Sequence, residues 1–218
     1  MPHLFSVFES KGGIAIRAPV SSLADLVQLV PERPTAIVTC PGLGAATIEG
    51  IADPNVYPIR GQTVLVRAPW IRFGRTHSEM GVDGEWTYII PRRSGDVSSS
   101  YYVCLQSRTF SSLFSCTVQV ILGGTKNSND FRPDPLKDIT EDILVRCLKL
   151  CPELVTGSPE FASKTSTPSV GDLRHFVIEE GCGLRPARRG GIRLELDWLN
   201  VNPEGNIPVI HHYGCVLL

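Results

Sequence analysis

Gly183-Leu184-Arg185-Pro186-Ala187-Arg188-Arg189-Gly190-Gly191-Ile192-Arg193-Leu194-Glu195 gathers four arginines among glycines and beside a proline. A guanidinium is planar and offers two parallel N–H groups, so Arg185, next to the rigid ring of Pro186, is well shaped to grip a carboxylate. The glycines allow backbones to approach closely. Arg188, Arg189 and Arg193 add positive charge nearby. Taken alone, basic residues in a Gly/Pro-rich turn are more often solvated surface. What changes the weighting is the setting, because strand-like runs lie on both sides, Val177 to Glu180 before the segment and Ile192 to Leu196 and Val209 to Tyr213 after it. The arginines therefore sit in a sheet-rich part of the chain.

The 218 residues are 42% hydrophobic and 20% charged, enough to bury a core in one domain, or in one domain and part of another. A net charge of -1 with a pI near 6.5 gives no electrostatic case for nucleic acid or an anionic membrane surface. No apolar run approaches the roughly 20 residues of a membrane span, and Met1 to Ser10 lacks a basic leader, so an intracellular protein is expected. The seven cysteines form no Cys-x-x-Cys pair and are expected to be reduced thiols. Cys147 and Cys151, one helical turn apart, read as packed apolar residues. His211 and His212 would face opposite sides of a strand, so no metal site is expected.

Around this segment the chain alternates short strands and helices. Leu4 to Phe8 and Gly13 to Arg17 are short apolar runs about a Lys11-Gly12-Gly13 turn. Ser22 and Asp25 mark a helix start, with Leu23, Leu26, Val27 and Val30 on one face before Pro31. Ala36 to Cys40 is a strand, followed by the glycine-rich turn Pro41 to Ala46. That turn lacks the spacing of a dinucleotide fingerprint. Thr63 to Arg67, Thr87 to Pro91 and Val120 to Thr125 are strands expected to pair antiparallel. Asp138 with Glu141 resembles a capping box, and Ile139, Ile143, Cys147 and Leu150 form a helical stripe ending at Pro152. Ser163 to Ser169 reads as an exposed loop. The pattern is mixed α+β.

In order, Val38-Thr39-Cys40-Pro41-Gly42-Leu43-Gly44-Ala45, Pro58-Ile59-Arg60-Gly61-Gln62, Tyr88-Ile89-Ile90-Pro91, Leu122-Gly123-Gly124-Thr125, Gly183-Leu184-Arg185-Pro186-Ala187-Arg188 and Ile210-His211-His212-Tyr213-Gly214 resemble blocks of the flavin-dependent D-amino-acid oxidase and D-aspartate oxidase family. The resemblance runs from about Phe5 to Gly214 and implies the substrate domain of such an oxidase, a largely antiparallel mixed sheet with a few helices. The resemblance implies that the N-terminal Rossmann-type unit that holds the ADP half of FAD is not among these residues, so the chain is expected not to retain FAD alone and to expose an apolar face. The implied activity is oxidative deamination of D-amino acids to 2-oxo acids with oxygen as acceptor and hydrogen peroxide as product. Arg185 and Tyr88 would bind the substrate carboxylate. Gly42, Leu43, Arg60, Gly61, Gln62, Gly183 and Gly214 match segments near the flavin. The resemblance further implies a homodimer in a full-length parent and a cytoplasmic or peroxisomal setting. Relic interaction modules and glycine- or sarcosine-type flavin oxidases are the alternatives.

Several departures accompany the resemblance. Pro41 replaces the family's usual threonine, removing a hydroxyl and an N–H. Residues 97–119 interrupt a place where the family runs almost directly from strand to strand, and are expected to be a retained, translated intron. The tail 215–218 diverges from the family. D-aspartate oxidases carry an extra arginine seven positions before the tyrosine that Tyr88 matches, where this chain has Gly81, with Arg72 and Arg75 as substitutes in a shifted register. Neutral D-amino acids are the expected substrates.

Overall fold

The computed structural model describes residues 2–78, 86–92, 119–163, 165–201 and 205–214. Gly81, residues 97–118 of the interrupting segment and the tail 215–218 lie outside the described residues. In chain order the elements are α1 (Pro2–Ser10), α2 (Leu23–Gln28), β1 (Ile37–Thr39), a 3-10 turn (Gly42–Ala46), β2 (Val56–Arg67), β3 (Arg75–Ser78), β4 (Trp86–Pro91), β5 (Gln119–Gly123), β6 (Asn127–Ser128), α3 (Lys137–Leu150), α4 (Glu153–Thr156), α5 (Val170–Arg174), β7 (Val177–Arg188), β8 (Arg193–Asn200) and β9 (Asn206–Tyr213). The chain divides into two compact units. Unit one takes Met1–His3, Gly61–Lys126 and Arg132–Gly183, and unit two takes Leu4–Arg60, Asn127–Phe131 and Leu184–Leu218.

Unit one is a sheet backed by α3. Its strands run β3-β4-β5-β2, antiparallel throughout, and β7 also pairs with β2. The register Ile89↔Leu122 and Val64↔Leu122 aligns apolar residues on one face, where Val64, Val66, Ile89, Val120 and Leu122 are buried against Ile143, Leu144 and Cys147 of α3. Side chains alternate across a strand, so Tyr88, Gly123 and Thr63 share the opposite face. The three strands read from the sequence do pair antiparallel, and Cys147 and Cys151 are buried as packed apolar residues.

The start of α3 differs from expectation. Its N-cap is Leu136, with no side-chain cap, and Glu141 instead pairs with Arg174. A distant side chain anchors the cap: Gln62 Nε2 donates to the Leu136 carbonyl at 2.8 Å, and the Leu136 N–H donates to Gln62 Oε1 at 2.9 Å. The buried face of α3 also turns slightly from the expected stripe, through Thr140, Ile143, Leu144, Cys147 and Leu148. Ser169, expected in a loop, is the N-cap of α5, with Asp172 completing a capping box.

Unit two is built on the three-stranded sheet β1-β9-β8. β1 runs parallel to β9, and β8 pairs antiparallel with β9 over eight residue pairs. One face holds a small cluster of Leu23, Ile37, Ile207 and Val209, with α2 packed beside it and capped by Ser22 and Asp25 as the sequence suggests. The other face carries Val38, Leu194, Leu196, Trp198 and Ile210, all exposed. Residues 13–20 form no regular element. The arginine segment is not a turn: β7 continues through Arg188, and the chain turns only at Arg189–Gly191.

Candidate functional site

In unit two, Arg185 lies exposed on the last stretch of β7, and each residue after it is held. Pro186 packs on the 3-10 turn, where Gly42 has φ +59 and a Cβ would stand 3.7 Å from the proline ring. That left-handed conformation suits glycine. Ala187 is buried at 2% exposure. Arg188 donates through Nε to Asp53 Oδ2 at 2.7 Å and through Nη1 to the Gly191 carbonyl at 3.3 Å. Gly214, at φ +80, lies against the aliphatic stem of Arg188, where a Cβ would come within 2.6 Å of the arginine Cβ. Arg188 is thus a half-buried ion-paired residue rather than free surface charge.

Asp53 is the centre of this arrangement. Only 5% exposed, it accepts from Arg188, from the Asn55 N–H at 2.9 Å and from the Tyr213 hydroxyl at 3.0 Å. Burial alone would raise its pKa. The Arg188 hydrogen bond, the Asn55 N–H, the Tyr213 hydroxyl and the Arg188 charge outweigh burial and hold it at about 2. The Tyr213 hydroxyl in turn accepts from Arg193 Nη1 at 2.8 Å, while Arg193 Nε pairs with Glu195 at 2.8 Å. On the same sheet face, buried His211 meets the Thr39 hydroxyl through Nδ1 at 3.0 Å, and burial, with Arg193, lowers its pKa. His212 is exposed, so the two histidines do face opposite ways.

In unit one, Tyr88 lies over a glycine pair. A Cβ at Gly123 would overlap the phenol ring, and one at Gly124 would stand 2.7 Å from the hydroxyl, so both positions must lack side chains for the ring to occupy its place. Thr76 is opposite Tyr88 on β3 and shares its face. Arg75 is opposite Ile89 and so takes the core side. There it makes two hydrogen bonds to Glu153, at 2.8 and 3.1 Å, and a third to the Leu150 carbonyl. That removes Arg75 as a stand-in for the extra arginine, since it points away from Tyr88 and is already matched with a carboxylate.

Of the remaining sequence-based candidates, Gln62 is fully buried, its side chain engaged with Leu136 and Thr140 and its N–H with Thr125 Oγ1. Arg60 is also fully buried, with Nε 3.9 Å from Asp130. Gly61 continues the same strand, and Gly183 has open space around its Cα. Gly42 and Leu43 begin the 3-10 turn beside an apolar cavity of about 280 Å³, whose lining includes Leu23, Val38, Thr39, Cys40, Pro41 and Ile51. Arg185 belongs to unit two and Tyr88 to unit one. Among the described residues no cluster of potential metal ligands occurs, and no helix is long and apolar enough to cross a membrane.

Unit two thus presents an exposed arginine from a clamped strand, and unit one a tyrosine laid over two glycines. Comparison with known sequences finds relatives. The chain is 36% identical over 205 residues to a D-aspartate oxidase of Cryptococcus neoformans var. grubii, covering 85% of this chain and 45% of that protein. It is 34% identical over 197 residues to a D-amino-acid oxidase of Schizosaccharomyces pombe, covering 90% of this chain and 44% of that protein. The chain is homologous to part of the D-amino-acid oxidase and D-aspartate oxidase enzymes, and it spans about half the length of the curated relatives it matches. No family model matches it. Among solved structures it is similar to glycine oxidase from Geobacillus kaustophilus (TM-score 0.47, 19% identity, 84% of this chain, 36% of that one) and from Bacillus cereus ATCC 14579 (0.46, 16%, 82%, 36%).

Proposed function

We propose that the chain supplies the substrate-binding part of a FAD-dependent oxidase that converts D-amino acids to 2-oxo acids, ammonia and hydrogen peroxide, with oxygen as the second substrate. What carries this proposal is the 34–36% identity to a D-amino-acid oxidase and a D-aspartate oxidase over 85–90% of the chain. In it, Arg185 binds the α-carboxylate through two parallel hydrogen bonds, and Tyr88 is retained as a separate candidate donor to substrate. A carboxylate held at two points fixes the direction of the Cα–H bond. FAD, when bound, supplies the acceptor for that hydrogen as hydride, so the protein's task is positioning rather than proton transfer.

The residues around the glycine-rich turn fit a flavin. Gly42 takes a left-handed conformation, and the adjoining cavity of about 280 Å³ is apolar, which suits the dimethylbenzene side of a flavin ring. Gly42, Leu43, Gly61, Gly183 and Gly214 form the proposed cofactor-facing set, whereas fully buried Arg60 and Gln62 contribute from inside the fold, Gln62 by anchoring α3. With Arg75 occupied by Glu153 on the far face, a substrate's second carboxylate finds no partner in Arg75, and neutral D-amino acids are preferred over D-aspartate by about tenfold or more. A peroxide-coupled assay of a full-length parent containing the chain, with FAD supplied, tests this, using D-alanine, D-aspartate, L-alanine, glycine and sarcosine. Peroxide from D-alanine above all others is the expected result. Turnover of glycine or sarcosine alone would reassign the substrate, and no turnover by the flavin-loaded protein would remove the proposal.

A further inference from the structure

The three residues that follow Arg185 in sequence are each held in place. Pro186 is packed on Gly42, Ala187 is 2% exposed, and Arg188 is paired with a carboxylate that is itself only 5% exposed. Both oxygens of the Asp53 carboxylate are engaged within this group: one accepts from Asn55, the other from Arg188 and Tyr213. The backbone repeats the link, since the Arg189 N–H donates to the Asn55 carbonyl at 2.9 Å. One short loop, Asp53 to Asn55, thereby holds the end of β7 by a side chain and by the main chain. The exposed guanidinium that would meet a substrate hangs from a strand end whose position is set from behind.

We propose that Asp53 is a positioning residue: by binding Arg188 it fixes the end of β7 and so presents the Arg185 guanidinium in one place. This rests on the reading of Arg185 as the carboxylate anchor. The physical ground is preorganisation. A bidentate hydrogen bond needs both N–H vectors in place, and a misplacement near 1 Å can cost about a hundredfold. Arg188 cannot serve as a second anion grip while its charge is matched by Asp53, so the pair also keeps a competing cation out of play.

The test is a double-mutant cycle on the full chain with FAD supplied, reading D-alanine affinity by calorimetry. Arg185→Ala is expected to abolish measurable binding. Asp53→Asn is expected to weaken it about tenfold or more, with Asp53→Glu recovering part of the loss. In an Arg185→Lys background, Asp53→Asn should cost much less, because a point charge on a flexible stem gains little from a fixed strand. Hydrogen exchange gives a reading that needs no ligand: Asp53→Asn should speed exchange of the amides of Leu184, Arg185, Ala187 and Arg188 while leaving Leu196 and Ile210 unchanged. Should Asp53→Asn fail to fold, Tyr213→Phe removes one of the three donors to the same carboxylate and should produce a smaller change of the same kind. If Arg185→Ala abolishes binding but Asp53→Asn weakens it equally in both backgrounds, or leaves the β7 amides unaltered, Asp53 is a structural residue only and the positioning role falls. If Arg185→Ala leaves D-alanine affinity unchanged, the anchor reading itself falls and takes the positioning role with it.

Discussion

The two units solve the same problem with different materials. Unit one buries sixteen apolar residues in one continuous cluster between its sheet and α3, among the described residues, and its two buried cysteines belong to that cluster. Unit two has a cluster of four, with Ala45, Ile59 and Ala187 buried elsewhere in it, and among the described residues it also buries polar groups: Asp53, Thr39, Arg60, His211 and the Tyr213 hydroxyl. A large apolar cluster gives stability that is indifferent to pH and tolerant in detail. A buried network of charged hydrogen bonds instead fixes particular side chains in particular places and fails if one partner is lost. The arginine proposed to bind substrate lies in the second kind of environment, where placement matters more than bulk cohesion.

The largest effect expected from this contrast is in the unit-one core. Leu144→Ala, at a residue with no exposure, should cost roughly 2–5 kcal/mol in urea unfolding, whereas Ile207→Ala in the smaller cluster should fall toward the low end of that range because a small core relaxes more readily. Equal costs would break the comparison. Next come the two arginines. Arg185→Ala should depress kcat/KM for D-alanine about a hundredfold with little change in Tm. Arg188→Ala should do the reverse, lowering Tm because it leaves the Asp53 carboxylate buried without its main partner, with a smaller effect on kcat/KM. If both behaved alike in both assays, the division between anchor and clamp would be wrong.

Acid provides a gentler probe. Asp53 titrates at about 2 when folded against an ordinary value of 3.8, so its contribution is complete above about pH 4 and is lost as pH falls through the folded value. The loss between about pH 4 and 2 is about 2 kcal/mol. Asp53→Asn should be less stable at neutral pH and flatter over that acid range, which chemical denaturation at several pH values will show. Smallest of all is the effect of thiol reagents. Burial pushes Cys147 up to about 12, and burial with Glu153 pushes Cys151 up to about 11, so neither holds much thiolate at pH 8. Among the described cysteines, exposed Cys40 should react first, by peptide mapping after brief labelling, with no loss of stability. Early modification of Cys147 would mean that the unit-one core opens far more readily than its packing indicates.

Much of unit one was legible because its signals are local. Alternation marks Thr63 to Arg67 and Thr87 to Pro91 as strands, and the apolar stripe marks α3. The cap of α3 was misread, since Asp138 and Glu141 have the right spacing, but the anchor is Gln62, 74 residues away. In unit two the same limit hid the Asp53 network, whose partners Arg188 and Tyr213 are 135 and 160 residues distant. No spacing rule connects such residues. The arginine segment misled for another reason: proline and glycine are turn formers by propensity, yet pairing and the Gly42 contact keep Gly183 to Arg188 extended. The importance of Gly123 and Gly124 was also invisible without the Tyr88 ring above them.

The bare side of the unit-two sheet has a practical consequence. Five large apolar side chains, Val38, Leu194, Leu196, Trp198 and Ile210, lie 37–69% exposed on strands of which one pair is parallel, a geometry that ordinarily has both faces covered. Hydrocarbon left in water behaves as a weak adhesive whose strength rises with excluded salts such as sulfate and fades on cooling. The protein should therefore salt out early, adsorb to phenyl resins and keep best cold in dilute buffer, with Trp198 emission moving to the blue whenever the surface finds cover.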